Sequence, residues 1–375
     1  MFSSRMDHFD TVLALICEEL QLPPSVHDLA EQRYHAVGDW LGSVDSLLRA
    51  WRSTIYPQGS FRIGTTVRPL TGDEFDLDLV CELDLGIKQA TPLVVLNMVE
   101  QRLRQHRDYA RMIERKKRCI RLTYANEFHL DVLPTRPTWP PDGTQILIPD
   151  RELMAWLRSN PKGFAAWFEG RSELFRKELR KRAVEPLPDH KNGSEKTSLQ
   201  RAAQLLKRWR DMRYEKLADA APRSIVLTTL AGHFFTGAVS TSAAFGEIVR
   251  DVTSATAQNG KPFQVVNPAQ PSEVLSEQWE REPQTYRLFA ARIAELHQCW
   301  TSIQEGGDVE AVATALAALF GEQVTQRAFR RLTAERIEPR RSIGSLGVAR
   351  SSGTLSIAPM AGVTPIRKNT FYGEE

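Results

Sequence analysis

Gln58–Val80, QGSFRIGTTVRPLTGDEFDLDLV, read with Phe128–Pro134, FHLDVLP, decides what this chain is. From Phe75 onward, acids alternate with Phe75, Leu77 and Leu79, the period-two pattern of a strand with one buried face. Asp76 and Asp78 therefore leave the same face, and Asp131, between Leu130 and Val132, follows the same grammar. If the two strands are neighbours, three carboxylates converge at one edge of a sheet. Such a cluster calls for cations. Mg²⁺ suits it, because it prefers hard oxygen ligands and keeps positions for water and phosphate. Two such ions, with Mn²⁺ as a substitute, would activate an attacking hydroxyl and stabilise a leaving pyrophosphate.

Phosphates need a cradle, and Gly59–Ser60 lies just upstream. Gly59 lets backbone approach a triphosphate without a clashing Cβ, and Ser60 offers a hydroxyl and an N–H. Gly64, Thr65 and Arg68 fall in the same loop. Alone, a D-x-D in a strand usually marks a solvated face, and a G-S pair says less. Their order, G-S, then D-x-D, then an isolated strand Asp, carries the information.

Working outward, residues 5–21 and 25–50 have helical periodicity broken at Pro23–Pro24. Pro92–Arg107 reads as a helix, and Cys119–Tyr124 and Glu127–Leu133 as two strands. Helices followed by a small mixed sheet make an α+β catalytic unit over 1–185. The Pro-, Gly- and charge-rich stretch 185–195 marks a junction. Beyond it, Thr197 and Gln200 form a capping box ahead of an amphipathic helix over 199–214, and an apolar helix is expected over 225–239. Helical segments over 273–304 and 309–336 complete a helical domain, 186–340, before a Ser/Gly-rich flexible tail, 341–375. No internal repeat is apparent.

The 375 residues suggest two core-bearing domains, and 49 Lys+Arg against 46 Asp+Glu leave no strong field toward nucleic acid or an anionic membrane. Four dispersed cysteines fit a reducing cytoplasm and give no zinc spacing. The N-terminus lacks the layout of a secretion signal, and no stretch is long enough to span a bilayer.

QGSFRIGTTVRPL, DEFDLDLVCEL, FHLDVLP and the run KTSLQRAAQLLKRWRDMRY…APRSIVLTTLAGH together resemble the bacterial CD-NTases, relatives of cyclic GMP-AMP synthase that make signalling nucleotides in CBASS anti-phage defence. The resemblance, over about residues 1–300, implies a polymerase-β-like nucleotidyltransferase core joined to a helical domain, with the active site in the cleft between them. It implies that Asp76, Asp78 and Asp131 bind metal and that Asp131 helps deprotonate a ribose hydroxyl. It further implies that Gly59, Ser60, Lys207 and Ser224 contact the triphosphate. Lys207 is expected on the polar side of its helix, and Ser224 doubles as a helix cap. Arg62, Arg68 and the Arg115–Arg118 run are weaker candidates, and His129 is expected to pack or orient. Trp156, Trp167, Trp209, Trp279 and Trp300 are expected to anchor the core.

The function expected is condensation of NTPs, including ATP, into a cyclic di- or trinucleotide, with an adenine-rich trinucleotide favoured. Rival readings keep the fold but use an RNA or protein acceptor, or leave a silent nucleotide-binding regulator. Expected partners are NTPs, a nucleotide-activated effector, and either a ubiquitin-transfer-like enzyme acting on the tail or a HORMA-domain regulator. A DNA activator is not expected, because neither the excess charge nor a zinc insertion is present.

Overall fold

The computed structural model describes residues 2–70, 74–85, 90–125, 128–182, 196–257, 262–306, 308–334 and three strand segments beyond. The chain divides into two compact units, one of residues 20–307 and one of residues 1–19 with 308–375.

The larger unit is organised by a mixed sheet of β1 (Thr54–Gln58), β2 (Phe75–Glu82), β3 (Ile113–Arg115), β4 (Ile120–Tyr124), β5 (Phe128–Pro137), β6 (Ile146–Asp150) and β7 (Ala155–Ser159). Its order is β1-β2-β5-β4-β3, with β6 pairing the end of β5 and β7 pairing β6. Only β2 and β5 run parallel; every other pair is antiparallel. A parallel pair requires a crossover, and the chain between them supplies it with the helix Pro92–Arg104 and the β3–β4 hairpin. The alternation in β2 and β5 decides which face is covered. Leu77, Leu79, Leu130 and Val132 are buried in one cluster with Val95, Leu96, Val99 and Leu103 of that helix. Thr91 caps the helix, accepting from Val94 N, and Pro92 follows at the first turn, where a missing N–H costs nothing.

The expected junction at 185–195 lies outside the described residues. The capping box beyond it is formed in both directions. Thr197 Oγ1 accepts from Gln200 N at 3.2 Å, and Gln200 Oε1 accepts from Thr197 N at 2.8 Å. It opens the helix Ser198–Tyr214, whose Leu199, Leu205 and Trp209 are buried. Thr197→Ala is expected to cost about 1 kcal/mol, read as a lowered denaturation midpoint; an unchanged midpoint would show that the cap is dispensable.

Two helix expectations are corrected. The apolar helix ends at Phe234 rather than near 239, because the chain turns through Gly237 at φ +101° before the helix Thr241–Ala257. The helix expected from 273 does not begin there: residues 270–274 pair as a strand with 266–267 across a tight turn at Pro268–Ala269, and the helix Pro283–Glu305 begins later. Trp209, Trp279 and Trp300 are almost fully buried.

In the smaller unit the helix Phe2–Glu19 packs with Glu322–Leu332, and Arg331 bonds both Glu18 (2.8 Å) and Glu19 (3.1 Å). Helices Val309–Phe320 and Glu322–Leu332 are separated at Gly321, φ +103°. Within 341–375, strands 346–349, 355–357 and 363–365 form a three-stranded antiparallel sheet. Residues 366–375, where a tail-binding enzyme was expected to act, lie outside the described residues. Among the described residues no helix is long and apolar enough to cross a membrane.

Candidate active site

The parallel register of β2 and β5 places Asp78 directly beside Asp131 and Asp76 beside His129. The side chains of Leu77, Leu79, Leu130 and Val132 go to the core, so all three carboxylates stand on the opposite face. Asp78 and Asp131 are more enclosed than Asp76. Burial, reinforced by the negative charges of Asp131 and Asp76, pushes the Asp78 carboxyl up to about 7. Burial also raises Asp76, against the opposing pull of Arg121. His129 Nδ1 lies 3.0 Å from a Glu74 carboxylate oxygen.

Arg121 was not singled out in the sequence. On β4 it lies opposite Asp131, and its flanking Ile120 and Leu122 are buried. Its Nε donates to Asp131 Oδ1 (2.7 Å), while Nη2 donates to Asp131 Oδ2 (2.8 Å) and Asp76 Oδ1 (2.9 Å). A basic residue alternating with Ile120 and Leu122 was visible. Its pairing was not, because cross-strand register depends on how β4 meets β5.

Gly59 meets the acids from the other side. Gln58, the last residue of β1, pairs with Asp78, and the chain then turns at Gly59 with φ +66° into a single helical turn, Gly59–Arg62. A Cβ on Gly59 would overlap Asp78 Oδ2 and sit 3.2 Å from Asp78 Cγ. The backbone thus touches the carboxylate where only glycine fits. The turn continues into a loop closed by Thr65 N donating to Ser60 O (2.9 Å) and Thr66 Oγ1 donating to Ser60 Oγ (3.4 Å).

Three side chains spaced along the helix Ser198–Tyr214 hold that loop. Gln200 Nε2 donates to Ile63 O (3.0 Å) and Gln204 Nε2 to Thr66 O (2.7 Å). Lys207 Nζ donates to Thr65 O (3.1 Å) and Thr65 Oγ1 (2.8 Å). The spacing of 200, 204 and 207 puts all three on one helix face. Lys207, expected on the polar side of its helix and against the triphosphate, is buried, with 4% exposure. Burial, with Arg210 nearby, pushes its ammonium down to about 7. The reason is tertiary: the polar side of this helix faces loop carbonyls, not water. Ser224 is linked one step further out, its Oγ accepting from Arg210 Nη1 at 2.9 Å.

The structure therefore sets Asp76, Asp78 and Asp131 on one face of the sheet with the Gly59–Ser60 turn against Asp78, and ties Lys207 to that turn's loop through Thr65; Ser224 bonds instead to Arg210, on the Lys207 helix. The Arg115–Arg118 run is spent on acids: Arg115 on Glu100, Lys116 on Glu114, Lys117 on Glu152 and Arg118 on Asp150. Arg62 pairs with Glu169.

A mixed sheet carrying acids on paired parallel strands, next to a Gly-Ser turn braced by a helix, defines a nucleotidyltransferase. Residues 6–171 match the Second Messenger Oligonucleotide or Dinucleotide Synthetase domain. The chain is 32% identical to a c-di-GMP synthase of Roseivirga ehrenbergii, over 99% of each protein. It is 27% identical to the cyclic dinucleotide synthase CdnG of Bradyrhizobium diazoefficiens, over 98% of this chain and 95% of that one. The structure of that CdnG in complex with GTP superposes with a TM-score of 0.71 at 25% identity, covering 86% of this chain and 99% of the other. The chain belongs to the bacterial CD-NTase family, whose members make cyclic oligonucleotides from nucleoside triphosphates. The adenine-rich trinucleotide expected from the sequence finds no support, since both relatives are cyclic dinucleotide synthases.

The family generally uses divalent metal ions. Asp76, Asp78 and Asp131 fit such ions by donor chemistry, offering hard, anionic oxygens on adjacent strands. Among the described residues, the group whose potential ligand atoms already lie within 4.8 Å of one another is instead the exposed trio His27, Asp28 and Glu31.

Proposed function

We propose that this chain condenses two molecules of GTP into cyclic di-GMP, releasing two pyrophosphates, as the signal of an anti-phage response. The observation that carries the chemistry is the register setting Asp78 beside Asp131 with the Gly59 backbone against Asp78. The choice of guanine follows the c-di-GMP synthase relative of nearly equal extent.

In each half-reaction a ribose 3′-oxygen forms a bond to the α-phosphorus of the other nucleotide. The bond from that phosphorus to the bridging oxygen of the β-phosphate breaks, and pyrophosphate leaves with the electron pair. Asp131 accepts the proton of the attacking hydroxyl. Divalent ions held by Asp76, Asp78 and Asp131 would supply the charge that acidifies the hydroxyl and stabilises the pyrophosphate. Ser60 and the backbone of the Gly59 turn receive phosphate oxygens. Gln200, Gln204 and Lys207 keep the turn's following loop in place, so that the leaving group is held in line by rigid backbone. Lys207 adds positive charge beneath the turn, and Ser224 is the outermost phosphate contact.

Incubation with GTP, ATP or both, with Mg²⁺ and no acceptor, tests this reading by mass spectrometry of the phosphatase-resistant product. Cyclic di-GMP from GTP alone, abolished by EDTA, is expected. A trinucleotide, an all-adenine product, or label transferred only to added RNA or protein would overturn it.

A further inference from the structure

Arg121 bridges two of the three acids that metal ions would need. Its three hydrogen bonds engage both oxygens of Asp131 and one of Asp76, and its side chain is only 17% exposed. The backbone fixes this arrangement: antiparallel register sets Arg121 opposite Asp131, and Ile120 and Leu122 are locked in the core on either side. A guanidinium in such a fork makes strong charge-assisted bonds and never gives up its charge. A divalent ion closing around the oxygens it binds would stand against the guanidinium's fixed positive charge. In keeping with this, the three aspartates do not form a group with ligand atoms within 4.8 Å of one another.

We propose that Arg121 is a built-in counter-cation of the metal-free enzyme, a positioning residue that holds Asp76 and Asp131 in place and must be displaced before they ligate divalent metal. The inference rests on the reading of the three aspartates as metal ligands. Displacement leaves the guanidinium without its acid partners until an anion arrives, so metal and nucleoside triphosphate bind with mutual reinforcement through this residue. Metal occupancy is thereby kept low until substrate is present.

Mn²⁺ binding to the full chain, followed by electron paramagnetic resonance with and without a non-reactive GTP analogue, tests the idea. Arg121→Gln is expected to bind Mn²⁺ about tenfold more tightly without nucleotide, the size of one lost charge-assisted contact. It should also show less strengthening by the analogue than the wild type. Arg121→Lys keeps the charge but loses the fork and should fall between the two. A folded Arg121→Gln whose Mn²⁺ affinity is unchanged or weaker overturns the proposal, and if that variant does not fold, an unchanged Arg121→Lys does so. Asp131→Asn separates this failure from failure of the underlying reading. Mn²⁺ binding lost in Asp131→Asn but not tightened in Arg121→Gln refutes the counter-cation alone, whereas binding that ignores Asp131 refutes the metal assignment and the counter-cation with it.

Discussion

Asp78→Asn is expected to reduce cyclic nucleotide synthesis by about 10³-fold, roughly 4 kcal/mol of transition-state stabilisation, while leaving the protein folded. Asp78 lies between Asp131 and the Gly59 turn, so its loss removes a proposed metal ligand and a charge at the centre of the site. The same substitution has a signature in stability. In the folded state the Asp78 carboxyl is pushed up from 3.8 to about 7 by burial and by its two acidic neighbours. Its protonated form therefore stabilises the fold; that contribution is full below the unfolded value and is lost as pH rises through about 7. In EDTA, the wild type should lose thermal stability between pH 5 and pH 8 more steeply than Asp78→Asn, which has no proton to give up there. Adding Mn²⁺ at pH 8 should restore the wild type only. Parallel melting curves for the two proteins, or near-normal synthesis by the variant, would remove Asp78 from the centre of the mechanism.

Gly59→Ala should also be strongly damaging, although it adds only one methyl group. At φ +66° an alanine carries a left-handed penalty of about 1–2 kcal/mol. Its methyl group would also have to share space with Asp78 Oδ2. Either the turn or the carboxylate must move, and a displacement of about 1 Å at a reacting centre costs on the order of 10²-fold in rate. The expected result is a fall in kcat of about that size with a modest loss of stability. A kcat within about twofold of wild type would show that neither the turn nor Asp78 is held where the structure puts it.

The two carboxylate strands were legible because the same alternation that buries Leu77, Leu79, Leu130 and Val132 points the acids the other way. The capping box at Thr197 was legible because its signal is local. What stayed hidden depends on partners distant in sequence. Arg121 gains its meaning from a strand register, and Lys207 from a loop more than a hundred residues away. The return of the last helices to the first, through Arg331 and Glu18–Glu19, left no periodic trace. The short strand over 270–274 has no alternation to announce it, since its sequence, QPSEV, buries Gln270 and exposes Pro271 and Ser272 in succession. Product identity was hidden for a further reason: carboxylates with the proposed role would serve any nucleotide's phosphates and carry no information about its base.

The pairing of β2 with β5 also sets which changes of length the protein can absorb. Deleting one residue inside β5 would turn Asp131 into the core and Leu130 or Val132 toward the acids. Deleting two would restore the face but carry Asp131 about 7 Å along the sheet, past Asp78. The crossover between the strands bears no such restriction, because a longer excursion adds only slowly to the cost of closing it. Insertions and deletions are thus confined to the connecting segments, and the strands themselves behave as a ruler whose divisions cannot be altered one at a time.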